Sequence, residues 1–246
     1  MKLTLLDGQI VFYEEPRTVL EIAKDISEAL GKRCVGALIN SSYIVSCFTE
    51  INKDCKIEFI TERHDLYYQI VNYTAKLVTI LSLVELYPDL EPIVQDGDNS
   101  KLEFNLYYNG KHKIEEADFE LIEQGAKKII NESYSIENYE ASKYEFISKY
   151  KQLNIRGNVD ELIKNVEKKY ISFPVLKLNG ESFFSLCGTL KNTSELYEIK
   201  ITKVEDYLLD DGKDNVLIQQ IHGIAASSEK EFNVLKRELE LDKVAI

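Results

Sequence analysis

Lys2-Leu-Thr-Leu-Leu-Asp7-Gly8-Gln-Ile-Val-Phe-Tyr13, followed by Thr18-Val-Leu-Glu21-Ile-Ala-Lys24, is the stretch that decides the fold. Two largely apolar runs, Lys2–Leu6 and Gln9–Tyr13, flank Asp7-Gly8, the pair that best accommodates positive φ in a two-residue hairpin loop. Thr18 and Glu21 have capping-box spacing, in which each side chain meets a backbone amide at the other end of the first turn. The pattern predicts a helix from Val19 to Leu30, with Leu20, Ala23, Ile26, Ala29 and Leu30 inward and Gly31 closing it. Short strands follow near Gly36–Ile39, Tyr43–Val45 and Lys56–Phe59. Hairpin, helix and returning strands predict a small β-grasp domain over residues 1–62.

From Arg63 the spacing turns helical. Leu66, Ile70, Tyr73, Leu77, Leu81 and Val84 recur at steps of three or four and form one inward stripe, read as core packing. Pro88 stops that helix. A strand is expected around Lys101–Tyr108 and a helix over Glu115–Asn131. A third helix begins at Ser142, where Ser142 and Glu145 repeat the capping box, and a fourth at Asn158. Strands are expected at Ser172–Leu178, Tyr197–Val204 and Val216–His222. Ser228 and Glu231 cap a last helix, Glu229 to about Leu241, with a narrow apolar face of Phe232, Leu235 and Leu239. The chain is therefore α+β: a β-grasp domain, a larger α+β domain over 63–226, and a helical stub over 227–246.

The 246 residues are 44% apolar and 29% charged, the balance of an ordinary globular chain large enough to fold without disulfides or a structural metal. Cys34, Cys47, Cys55 and Cys187 form no CxxC pair, and isolated thiols without a secretion signal fit a reducing cytosol. The longest apolar stretch, Leu77–Leu86, is broken by Thr79, Ser82 and Glu85 and is too short to span a membrane. Net charge is -12. The first sixty residues contribute little of it, and the acids gather in the middle of the chain, at Glu205-Asp206 and Asp210-Asp211. Strong nonspecific nucleic-acid binding, which needs basic surface, is not expected. The run Asp210-Asp-Gly-Lys-Asp214 lacks the alternating oxygen ligands and distal Glu of a calcium loop and reads as an acidic turn. The 15 tyrosines are scattered and read as packing residues.

The order of these segments resembles the front of bacterial threonyl-tRNA synthetases. Leu6-Asp-Gly8 and Thr18-Val-Leu-Glu-Ile-Ala-Lys24 resemble the ubiquitin-like TGS domain. Glu85-Leu-Tyr-Pro-Asp89, Ile114-Glu-Glu-Ala-Asp118, Ser185-Leu-Cys-Gly188 and Ile218-Gln-Gln-Ile-His-Gly223 resemble the editing domain that follows it. The resemblance covers nearly the whole chain. In that family the last helix leads into the aminoacylation core, for which nothing remains after Ile246, so a chain ending there is expected not to charge tRNA.

The family's editing pocket carries two histidines four residues apart on a helix, in a pattern like His-Ser-x-Ala-His. A loop reading Asp-Leu-Cys-x-Gly-Pro-His completes it. Imidazoles so placed can position a water and move its proton, and the implied substrate is the ester of mischarged seryl-tRNA. Here the helix reads Asn72-Tyr-Thr-Ala-Lys76. One register puts Asn72 and Lys76 at the histidine positions; the other puts Tyr73 and Leu77 there. The loop keeps Cys187, replaces the aspartate by Ser185 and the last histidine by Lys191. The resemblance thus implies a degenerate site of Asn72, Lys76, Cys187 and Lys191, with no catalytic residue, metal or cofactor. A charged lysine has donors only and cannot take a proton from water.

Cys187 reads first as a small packing residue. A thiolate favoured by Lys76 or Lys191 is the alternative, but no histidine accompanies it to handle the proton. Lys76 and Lys191 read first as solvated surface lysines; if they converge, they could hold a phosphate or carboxylate, such as a tRNA 3′ end or a nucleotide. The leading reading is a cytoplasmic, non-catalytic synthetase-like module that binds tRNA, a nucleotide or a synthetase-related partner. A free-standing hydrolase of mischarged seryl-tRNA is the alternative. A third reading is the N-terminal region of a nucleoside-kinase-like protein, a family that also carries histidine-free editing-like domains. The Gly-x-x-x-x-Gly-Lys-Ser/Thr phosphate loop of such kinases does not occur in the 246 residues.

Overall fold

A computed structural model of the chain describes residues 1–93, 101–142, 144–145, 173–184, 187–210 and 215–244. The opening hairpin forms from β1 (Lys2–Thr4) and β2 (Ile10–Phe12) in antiparallel register, Thr4 opposite Ile10. Its loop differs from the two-residue expectation. Leu5 N–H donates to Gln9 O and Gly8 N–H to Leu5 O, so Leu6, Asp7 and Gly8 form a longer loop, and only Gly8 takes positive φ, at 85°. A turn closed by one left-handed glycine is the usual geometry at that length.

After β3 (Arg17–Thr18), Thr18 caps α1 (Val19–Ile26), with both halves of the capping box made. The single helix expected to Leu30 is instead broken at Ser27. Its backbone is extended, its N–H closes α1 onto Ala23 O, and its Oγ accepts the Leu30 N–H at 3.0 Å, starting α2 (Glu28–Arg33). Gly31 therefore lies inside α2, buried against Lys24, and does not cap the helix. The break also turns Ile26 and Ala29 outward, against the inward placement expected of them.

Strands β4 (Gly36–Ile39), β5 (Tyr43–Ser46), β6 (Glu50–Ile51) and β7 (Cys55–Ile60) complete this half. The sheet order is β2-β1-β7-β4-β5, with β1 parallel to β7 and the other neighbours antiparallel. This is the β-grasp arrangement. Leu3, Val19, Ile22, Ala23, Ala37, Ile39 and Ile57 fill its core.

The long helix α3 (Tyr67–Leu86) is buried from Ile70 through Leu83, so the apolar stripe is only one of several covered faces. Four bodies contribute to the core that contains it. One is the sheet β13-β14-β9-β8, built from β8 (Glu91–Ile93), β9 (Phe104–Asn109), β13 (Glu198–Asp210) and β14 (Asn215–Ala226). The second is α4 (Phe119–Glu132), entered through a 3-10 turn at Glu116–Asp118. The third is the β-grasp sheet, whose Val35, Ile44 and Ile60 join the core around α3. The fourth is the sheet of β10 (Glu137–Ala141), β11 (Phe173–Leu178) and β12 (Glu181–Phe184), which adds Leu178 and Phe183.

Strands β13 and β14 run longer than expected, and the acidic turn between them lies mostly outside the described residues, as do the fourth helix at Asn158 and the body of the third. At the start of that third helix, Glu145 N–H donates to Ser142 Oγ. The last helix, α5 (Glu229–Val244), begins with Glu231 N–H on Ser228 Oγ, but the Glu231 carboxylate accepts from Ser227 and not from Ser228. Its Phe232 packs on Ile224 and Ala226. Among the described residues no helix is long and apolar enough to cross a membrane.

Candidate functional site

The residues singled out from the sequence lie on α3 and on the segment 187–195. Asn72 and Lys76 are 2% and 7% exposed, so Lys76 is not the solvated surface lysine first expected; the bodies packed around α3 cover it. Asn72 lines a cavity of about 180 Å³ with Tyr68, Lys101 and the Glu231, Leu235 and Glu238 side chains of α5.

The loop from Cys187 is seated by backbone contacts on three sides. Gly188 lies against the β5 backbone, where an added Cβ would fall 2.8 Å from the Val45 carbonyl. Leu190 N–H donates to Thr74 Oγ1 at 3.0 Å, while Thr74 Oγ1 donates to Ile70 O. Ile136 N–H then donates to Lys191 O, and Thr193 N–H to Tyr134 O. At 3.6 residues per turn, Thr74 lies about 160° around α3 from both Asn72 and Lys76. The loop therefore docks on the side of the helix nearer Leu77 than either of those residues. Cys187 is half-buried against the core, and Leu190 and Thr189 are fully buried.

Lys191 is half-buried and its charge acts on groups that are not on α3. Burial raises the Glu195 carboxyl, and the Lys191 ammonium and a hydrogen bond with the Lys191 backbone pull it back down. Burial pushes the Cys34 thiol up to about 11 and the Cys47 thiol up to about 12, again with Lys191 drawing them down. Both thiols are protonated at neutral pH and are not nucleophiles. Glu195, in the 3-10 turn Thr193–Glu195, was missed from the sequence; its only signal is the four-residue spacing of opposite charge from Lys191. Thr189 was missed as well. Its Oγ1 is buried and finds no hydrogen-bond partner among the described residues, which is uncommon for a buried polar group.

The three histidines are held by other elements. His64 Nε2 lies 3.0 Å from Glu58 Oε1. His112 stacks on Tyr87 with centroids 4.1 Å apart and faces Asp118. His222, on β14, has Nε2 3.0 Å from Glu205 Oε2 and is 8% exposed. Among the described residues no group of His, Cys, Asp and Glu could hold a metal ion.

Two measurements follow from these placements. Thr74→Val keeps the side-chain shape but orphans the buried Leu190 N–H, so urea denaturation is expected to show a loss of about 1–3 kcal/mol. His222 is held below 6.5 by burial and then by the Lys203 ammonium, against the pull of Glu103 and Glu205. The unfolded chain therefore binds this proton first as pH falls, and stability declines from about pH 6.5 down to the folded value. His222→Gln is expected to flatten the unfolding midpoint across that window; an unchanged slope assigns it to other groups. Glu205, held low by Lys203 and His222, adds its own loss only at more acid pH.

Comparison with known proteins is consistent with the arrangement. Residues 1–61 match the TGS domain family. The chain is 27% identical over 243 residues to a threonine–tRNA ligase of Clostridium botulinum (strain 657 / Type Ba4), covering 95% of this chain and 36% of the relative. It is 28% identical over 243 residues to that of Acholeplasma laidlawii, at 95% and 35% coverage. To that of Caldanaerobacter subterraneus subsp. tengcongensis it is 29% identical over 231 residues, at 92% and 34%. The chain thus spans about a third of the length of the curated relatives it matches, and it is similar to their TGS and editing region.

Proposed function

We propose that this threonyl-tRNA synthetase-like module works in the cytoplasm as a non-catalytic binding unit for the acceptor end of a tRNA. Its parts in this reading are a TGS domain over 1–62, an editing-type domain over 63–226 and a helical stub over 227–246. The observation that carries the reading is the placement of its imidazoles: His64 bonds Glu58, His112 stacks on Tyr87 facing Asp118, and His222 lies beside Glu205. Hydrolysis of an aminoacyl ester needs a group that accepts the proton of the attacking water, and losing such a group typically removes about 10²–10⁴ in rate. Asn72, Lys76 and Lys191 do not serve in that role while amide or ammonium. They can hold an anion.

Lys191, half-buried on the loop that also carries Thr189, is the candidate for a terminal phosphate; Lys76 is covered on α3. The test is titration of the full chain with fluorescently labelled threonine tRNA over a range of salt. Saturable binding is expected, and Lys191→Met should reduce the slope of log K against log salt by about one, as loss of a single phosphate contact does. Absence of binding, or an unchanged slope in Lys191→Met, rejects the assignment.

A further inference from the structure

We propose that the open end of the β-grasp core is a docking groove for a basic amphipathic helical segment of a partner protein. Leu5, Leu6, Asp7, Ile26, Leu30 and Phe59 are among the residues bounding a cavity of about 470 Å³, within the range of sites that take up ligand groups. Where the helix breaks at Ser27, Ile26 is left 39% exposed, and Leu6 on the hairpin loop, bounding the same cavity, is 62% exposed. Two large apolar side chains exposed over an apolar floor are what a partner's apolar anchors would cover.

Charge and topology narrow the occupant. The charged groups bounding the groove are Asp7 and Glu58, with His64 against Glu58 and no lysine or arginine among the lining residues. A rim of one sign selects a partner of the other. A second copy docking symmetrically through the same groove would set Asp7 and Glu58 against their own copies, like charge against like. Strand addition is closed off, because β7, which floors the groove, already pairs with β1 on one side and β4 on the other. Recognition must then run through side chains: a helix with apolar residues at i and i+4 facing inward and Lys or Arg at its flanks.

The proposal does not depend on the tRNA reading, since the groove lies wholly within the first sixty-four residues and shares no lining residue with the 187–195 loop. It is tested by titrating the ¹⁵N-labelled full chain with a synthetic leucine–lysine peptide patterned for one apolar helix face. Amide shift changes are expected to concentrate at Leu5–Asp7, Ile26, Leu30, Phe59 and His64. The exposed double variant Leu6→Ser/Ile26→Ser should keep its unfolding midpoint and bind at least tenfold more weakly. The same peptide with glutamate in place of lysine should fail to saturate. Shift changes spread over other acidic surface, equal affinity in the double variant, or equal binding of the glutamate peptide would each overturn it.

Discussion

Gly188→Val is expected to unseat the loop that carries Cys187 and Lys191 and to lower the stability of the chain by about 3 kcal/mol, at the upper end of ordinary overpacking costs. The cost is high because the obstacle is backbone. An added Cβ falls 2.8 Å from the carbonyl carbon and oxygen of Val45 and 3.1 Å from Ser46 N, atoms fixed in the β4–β5 ladder. If the loop lifts, the Leu190 N–H loses Thr74 Oγ1, and Ile136 and Thr193 lose their partners across 191–193. Urea denaturation gives the energy. Hydrogen exchange locates it, with faster exchange expected at Leu190, Ile136 and Thr193 and little change at Leu3 or Ile57 in the β-grasp core. A variant with wild-type stability and protection would contradict this seating of the loop.

Phe104→Ala should cost about 3–5 kcal/mol, the usual range for deleting a buried ring. Phe104 is fully buried on β9, directly opposite Gly223 of β14, and its ring occupies the space where a side chain at 223 would stand, 2.5 Å from an added Cβ. The pair is therefore coupled. Gly223→Ala alone should destabilise through collision with that ring, and the double variant should lose less than the sum of the two, since the ring is gone. The Lys200 carbonyl, 2.9 Å from the added Cβ, limits the recovery. Strict additivity would mean that the ring does not fill this space.

The β-grasp half was legible because its signals are local. Asp7-Gly8 marks a turn, Thr18 and Glu21 mark a helix start, and the strands between carry enough apolar residues to be seen. The failures are those that local pattern does not encode. Val19–Leu30 keeps helical spacing straight through Ser27, and the break depends on one hydroxyl choosing the Leu30 amide over a continued helix. Strands β3, β6 and β8 are too short to show a period of two. On α3 the stripe identified one inward face, whereas the helix is wrapped by two sheets, α4 and the β-grasp; polar residues such as Asn72 and Lys76 give no sign in sequence that they will be covered.

The candidate site was named by resemblance, residue for residue, but its surroundings come from tertiary structure. Nothing around Lys191 in the sequence points to Cys34 and Cys47, which precede it by more than a hundred residues and lie within reach of its charge. Thr74 stands midway between Asn72 and Lys76 in sequence. Only helix geometry reveals that the loop it anchors lies across α3 from both.

A unit that binds the acceptor end without hydrolysing it, as proposed, leaves the ester of seryl-tRNA intact, and the rate at which the full chain releases serine from seryl-tRNA decides the matter. Release at the uncatalysed background rate, unchanged by Cys187→Ala, is expected. Release well above background and lost in Cys187→Ala would contradict the proposal, because the cysteine would then be acting with a proton acceptor other than a histidine.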